Sequence, residues 1–143
     1  VRRADPTIEL GDWASLRAEV LPIRWTVFVE EQKVPAELEV DDWDAQALHA
    51  LARGAAGRAA GTARLLPDGR IGRIAVLREF RGAGVGSALL KAMMHAARER
   101  GHAQAVLSAQ THAMAFYRRF GFVAEGEPYD DAGIPHITMR RTL

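Results

Sequence analysis

Gly82, Gly84 and Gly86 alternate in the run Arg81-Gly-Ala-Gly-Val-Gly-Ser87, between the strand-like "IGRIAVL" and a long helix-forming stretch. Glycine weakens helices and strands alike, so a cluster at their junction signals that bare backbone is needed there. Successive amides at the start of a helix sit at the positive end of its dipole and can cradle an anion without any side chain. The ligand this predicts carries phosphate. Two familiar phosphate loops fail on spacing. The P-loop needs a lysine after its last glycine, and Gly86 is followed by Ser87. The dinucleotide fingerprint needs G-x-G-x-x-G, whereas the spacing from Gly82 is G-x-G-x-G and the strand before it follows a meander.

Charge is unevenly distributed along the chain. Seven carboxylates (Glu30, Glu31, Glu37, Glu39, Asp41, Asp42 and Asp44) stand against Lys33 alone, and five arginines (Arg64, Arg70, Arg73, Arg78 and Arg81) follow further on. Taken singly, each run reads as solvated surface. The five histidines form no spaced ligand motif, so no metal is expected. The absence of cysteine removes disulfides, thiolate nucleophiles and cysteine-bound zinc, and agrees with a reducing compartment.

The elements that must position these residues follow from periodicity. "GDWASLRAEVLPIRWTVFVEEQ" has helical spacing on either side of Pro22, which predicts two short helices or one with a break. The acidic stretch after it reads as a loop ordered by Val34, Leu38 and Trp43. Trp25 and Phe28 are expected in the core, Trp43 either there or at a binding surface. From Ala47, three short runs separated by "GAAG" and "PDG" predict an antiparallel meander. Val85, Leu89, Met93 and Ala97 then recur every four residues, a helix that Gly101 should end. A buried strand, a short helix closed by Gly121 and two final strands complete the order. The fold class is α/β (α+β), with a mixed sheet flanked by helices.

With 143 residues, 48% of them hydrophobic, the chain fits one globular domain over 1–143. A net charge of +1 gives no global field for nucleic acid. No apolar run approaches the roughly 20 residues of a membrane span, and "VRRADPTIEL" lacks a signal-peptide core. A cytoplasmic location is therefore expected, with neither membrane nor nucleic acid as partner. Edge strands near the C-terminus make a homodimer possible.

At a strand-to-helix junction, Arg81, Gly84 and Gly86 match the signature [Q/R]-x-x-G-x-[G/A], and the sequence here resembles the GNAT family of acyl-CoA-dependent N-acetyltransferases. "FYRRFGF" is similar to that family's later helix with its tyrosine. "IRWTVFVEEQKVP", the acidic segment and "GIPHI" resemble a bacterial ElaA-like subgroup, so the likeness runs from about Ile23 to Arg140. It implies a GNAT-like domain whose sheet splays beside the acyl-CoA site.

The resemblance also implies roles. Acetyl-CoA would be the co-substrate, its pyrophosphate on the amides of Arg81, Gly82, Ala83, Gly84, Val85, Gly86 and Ser87. Pantetheine would lie along Ile74, Ala75 and Val76, one of whose N–H groups would polarise the thioester carbonyl. A small-molecule or peptide amine would attack directly after losing its proton to a carboxylate, Glu31 ahead of Glu30 and Asp41. Tyr117 would donate to the departing thiolate, with core packing as its competing role. His112 and His136 are candidates for the acceptor site. A catalytically idle module that senses or scaffolds acyl-CoA is the alternative function.

Overall fold

In the computed structural model, which describes residues 5–143, the chain alternates helices and strands around one mixed sheet of seven strands. Residues 1–4, the start of the segment that lacks a signal-peptide core, lie outside the described residues. The strands are β1 (Thr7–Gly11), β2 (Leu48–Arg53), β3 (Ala59–Leu65), β4 (Arg70–Val76), β5 (Gln104–Gln110), β6 (Val123–Asp131) and β7 (Ile134–Thr142), in the order β1-β2-β3-β4-β5-β7-β6. The meander β2 to β4 forms where the turn residues predict it. Strand β1, which pairs antiparallel with β2, has no counterpart in the expected order of elements. It is short, and its alternation precedes the helical pattern by only a few residues.

Helix α1 (Trp13–Arg24) opens on Asp12, whose carboxylate accepts from the Ser15 N–H at 2.8 Å. Pro22 does not divide it. The helix runs through the proline and continues as a π-helical segment, Trp25–Glu31. Pro22 lacks an N–H, so the ladder has already lost a bond there, and the chain widens in the following turns. Leu16, Val20, Ile23 and Val27 pack with Leu51 and Ala75 on one face of the sheet. Phe28 packs at the margin of this cluster, but Trp25, expected in the core, is 48% exposed.

Helix α3 (Val85–Glu99) covers the other face with Val85, Leu89, Leu90, Met93, Ala96 and Ala97. Its close approach requires Gly61. A Cβ there would lie 2.8 Å from the Ala75 carbonyl oxygen and 3.0 Å from side-chain carbons of Val85 and Leu89. Gly101, at φ +87°, follows the end of the helix as its pattern predicts. A short helix α4 (Met114–Arg118) and the hairpin of β6 and β7 close the chain.

The acidic stretch is ordered differently from the expectation. Leu38 and Trp43 are 53% and 44% exposed, and a four-residue helix, α2 (Ala36–Glu39), interrupts the loop. Arg24 holds the segment instead. Its guanidinium is fully buried, donates to Glu39 Oε1 at 2.5 Å and to Asp44 Oδ1 at 2.7 Å, and lies 5.4 Å from the Trp13 ring. Arg64 adds a two-pronged pair to Asp41 at 2.7 and 2.9 Å and reaches Asp44 at 3.0 Å. The acidic and arginine-rich runs are therefore two sides of one contact, where separate solvated surfaces were expected.

Candidate active site

Strand β4 is the sheet's point of divergence. It pairs in parallel with β5 only at Arg70 with Val106 and Ile71 with Leu107, after which the two strands separate. On its other side a register shift opposite Thr62 to Arg64 gives β4 one extra residue, and Arg73 adopts φ +49° there. A bulge of this kind bends and twists a strand. The result is a cleft of about 640 Å³, lined by β4 along its length, by β5, and by the π-helical segment.

The trio Ile74, Ala75 and Val76 borders this cleft, but its backbone groups divide. The Leu77 N–H donates to Ala60 on β3 at 2.9 Å, and the Ala75 carbonyl crowds Gly61 of the same strand. Because successive residues of a strand point to opposite edges, Ala75 is spent on β3 while Ile74 and Val76 present their N–H and C=O groups to the cleft. Arg81 already uses this edge, its Nε donating to the Val76 carbonyl at 2.9 Å.

Beyond β4 the chain enters the glycine turn. Gly82 and Gly84 lie at φ +77° and +82°, where a Cβ would meet nothing within 4 Å. Backbone conformation, not crowding, requires glycine at both. The first turn of α3 has no side-chain cap and no acidic residue, and its first backbone bond, Ala88 N–H to Gly84, leaves the amides of Val85, Gly86 and Ser87 without helical partners. Gly86 differs from the other two: a Cβ there would rest 3.7 Å from Phe116 and 3.8 Å from Val76 in ordinary contact.

Glu31 and Tyr117 both line the cleft. The Glu31 carboxylate is gripped by Arg81 at 2.8 and 3.0 Å, with Arg78 at 3.5 Å, and the Arg81 hydrogen bond holds its carboxyl below the usual range. Glu30 does not line the cleft, and Asp41 is bound to Arg64 and Arg73. Tyr117 packs edge-on against Phe116 and Phe122, with centroids at 5.1 and 6.1 Å. Burial pushes its phenol up to about 12, and its hydroxyl makes no hydrogen bond among the described residues. Packing and an available donor are thus combined in one side chain.

The remaining wall comes from residues less prominent in the sequence. Gln110 donates to Gln32 at 2.8 Å, and His112 Nε2 lies 2.7 Å from Gln110 Oε1. His136, opposite Gln110 on β7, lines both the main cleft and a side pocket of about 220 Å³ that includes Phe28, Arg73 and Asp131. Exposed Trp43 also borders the cleft. Among these the two histidines and Trp43 carried a signal, and the glutamines carried none, because short polar residues on a strand have no distinctive spacing.

Residues 18–143 match the acetyltransferase (GNAT) domain family. An uncharacterized N-acetyltransferase of Bacillus subtilis, YjcF, is 39% identical over 122 residues, which cover 83% of this chain and 87% of that protein. The crystal structure of an acyl-CoA N-acyltransferase from Pseudomonas aeruginosa, 35% identical, superposes with a TM-score of 0.84 over 96% of this chain and 100% of its own. Escherichia coli ElaA, 28% identical, gives 0.83 over 95% and 99%. With its splayed sheet and glycine turn, the chain belongs to the GNAT acetyltransferase family and is an N-acetyltransferase.

Proposed function

We propose that the protein moves an acetyl group from acetyl-CoA to a primary amine of a small molecule or peptide, by direct attack of the amine on the thioester. One observation carries this: the free backbone edge of β4 leads at one end to the uncapped glycine turn and at the other to the polar wall on β5 and β7. The donor fits that path. Amides from Arg81 to Ser87 would hold its pyrophosphate, and the edge at Ile74 and Val76 would pair with pantetheine. An N–H of Ile74 or Val76, aimed where charge develops on the carbonyl oxygen, would stabilise the tetrahedral intermediate. Ala75, turned toward β3, would contribute packing.

The attacking nitrogen must be neutral, and a lysine-like amine has an unperturbed pKa of about 10.4. Glu31 can accept a proton effectively only when Arg81 releases it, which an arriving pyrophosphate would favour by competing for the guanidinium. Tyr117 would stabilise the departing thiolate by hydrogen bonding. Complete transfer from a phenol near 12 to a thiolate, whose acid has a pKa of about 8.5, runs uphill.

The test is release of free thiol from acetyl-CoA with a panel of polyamines, aminoglycosides, amino acids and peptides. Acceptor-dependent release supports the transferase reaction on amines. Tight acetyl-CoA binding with only an acceptor-independent trickle across the panel would favour an idle sensor or scaffold.

A further inference from the structure

We propose that His136 is the catalytic base that takes the proton from the acceptor's ammonium, acting through Nε2. The inference rests on the acetyl-transfer reading above and adds the residue that readies the nucleophile. His136 Nδ1 lies 2.7 Å from the Ile134 carbonyl oxygen. A carbonyl only accepts, so Nδ1 carries the proton of the neutral ring and Nε2 keeps a lone pair. That nitrogen has no partner among the described residues, although the residue is only 9% exposed. It borders the main cleft and the side pocket together.

The ring is also held in place. It stacks on Tyr129 at 6.2 Å and 23°, and the Tyr129 hydroxyl is hydrogen bonded to Ser108 Oγ on β5. His136, Tyr129, Ser108 and Gln110 share one face of the β5, β7 and β6 ladder, while Ile137 and Met139 turn into the core on the other. Around the side pocket, Asp131 of β6 and Arg73 of β4 bring opposite charges, and the Glu39 carboxylate is bound by Arg24. Glu31 must first be released by Arg81 and Asp41 is held by Arg64, whereas Nε2 is uncommitted from the start.

In the first step Nε2 takes one proton from the ammonium and the ring becomes imidazolium. The neutral nitrogen forms the new C–N bond. The C–S bond then breaks with its electron pair on sulfur, which takes one proton as the attacking nitrogen sheds its second, and the imidazolium returns its proton to solvent. The balance is one amide, one thiol and one released proton.

His136→Asn keeps a donor for the Ile134 carbonyl and removes the base. The probes are n-butylamine, an ammonium ion at mildly alkaline pH, and hydroxylamine, already neutral there. In the variant kcat/KM for n-butylamine should fall about 100-fold or more while that for hydroxylamine stays within about threefold, as expected for loss of a general base. An equal fall for both probes would mean that His136 is structural and would overturn the proposal. Independently of turnover, nitrogen NMR of the histidine-labelled full chain should find the neutral ring protonated on Nδ1; a proton on Nε2 would also overturn it. Acetyl-CoA affinity should be the same in wild type and variant. If wild type failed to bind acetyl-CoA at all, the transfer reading would fail, and the NMR result would still decide whether Nε2 is free to act.

Discussion

The end of the cleft proposed for the donor is made of backbone, and the end proposed for the acceptor of side chains. At the first, Gly82 and Gly84 at positive φ and the open first turn of α3 present amides over a few consecutive residues. Beside the second, Arg24, Glu39, Asp41, Asp44, Arg64 and Arg73 join α1, the acidic segment, β3 and β4, and Arg64 and Arg73 of this network line the cleft together with residues of β5, β6 and β7. A local backbone site tolerates change elsewhere in the chain. A site assembled from distant side chains depends on every element that carries one.

The sharpest way to separate the two is Arg24→Met, which leaves Glu39 and Asp44 buried without their shared cation. Breaking a buried ion network in this way costs about 3–5 kcal/mol, so chemical denaturation should register that loss. Acetyl-CoA affinity, read by calorimetry on the folded variant, should change little. Retained stability would mean that the network does not hold the acidic segment.

Gly84→Glu should do the converse. A side chain at φ +82° is strained, and its carboxylate would oppose an anion at the helix start, so acetyl-CoA affinity should drop about 100-fold while the fold survives. Unchanged affinity would refute the assignment of the pyrophosphate to this turn.

Acid should weaken the acceptor end selectively. Burial raises the Asp44 carboxyl, but hydrogen bonding and charge from Arg24 outweigh it and leave the pKa at about 2. A folded value below the unfolded one, about 3.9, contributes stability that is present above the unfolded value and lost as pH falls through the folded value. Melting measurements should lose roughly 2 kcal/mol from this group between about pH 4 and pH 2, and Asp44→Asn should flatten that part of the curve. An identical acid slope in the variant would remove Asp44 from the account.

Tyr117→Phe should have the smallest effect. It keeps the packing against Phe116 and Phe122 and removes one donor, so kcat should fall about tenfold with acetyl-CoA affinity unchanged. Equal turnover would leave Tyr117 as packing alone.

The glycine-turn end was legible because its information is local. Spacing alone located the glycine turn, the α3 pattern and the meander. Pro22 left two helices or one with a break equally open, because a proline interior to a helix can be accommodated when the next turns widen, and no local rule states when tertiary packing will hold them. Trp25 and Leu38 illustrate the same limit, since apolar character does not say which face of a short element meets the core. Gly61 gave no sign of its purpose, which is to admit α3 across the sheet.

By itself the sequence determined the order of most elements, the position of the glycine turn and the family, because each rests on residues adjacent in the chain. Only the tertiary structure decided that the acidic run answers the arginine run, that Glu31 is held by Arg81, and that His136 faces the cleft with one nitrogen free. The first two outcomes depend on contacts across 15 to 50 positions, as from Arg24 to Glu39 and from Arg81 to Glu31, and the third on where the strands separate, none of which chain spacing encodes.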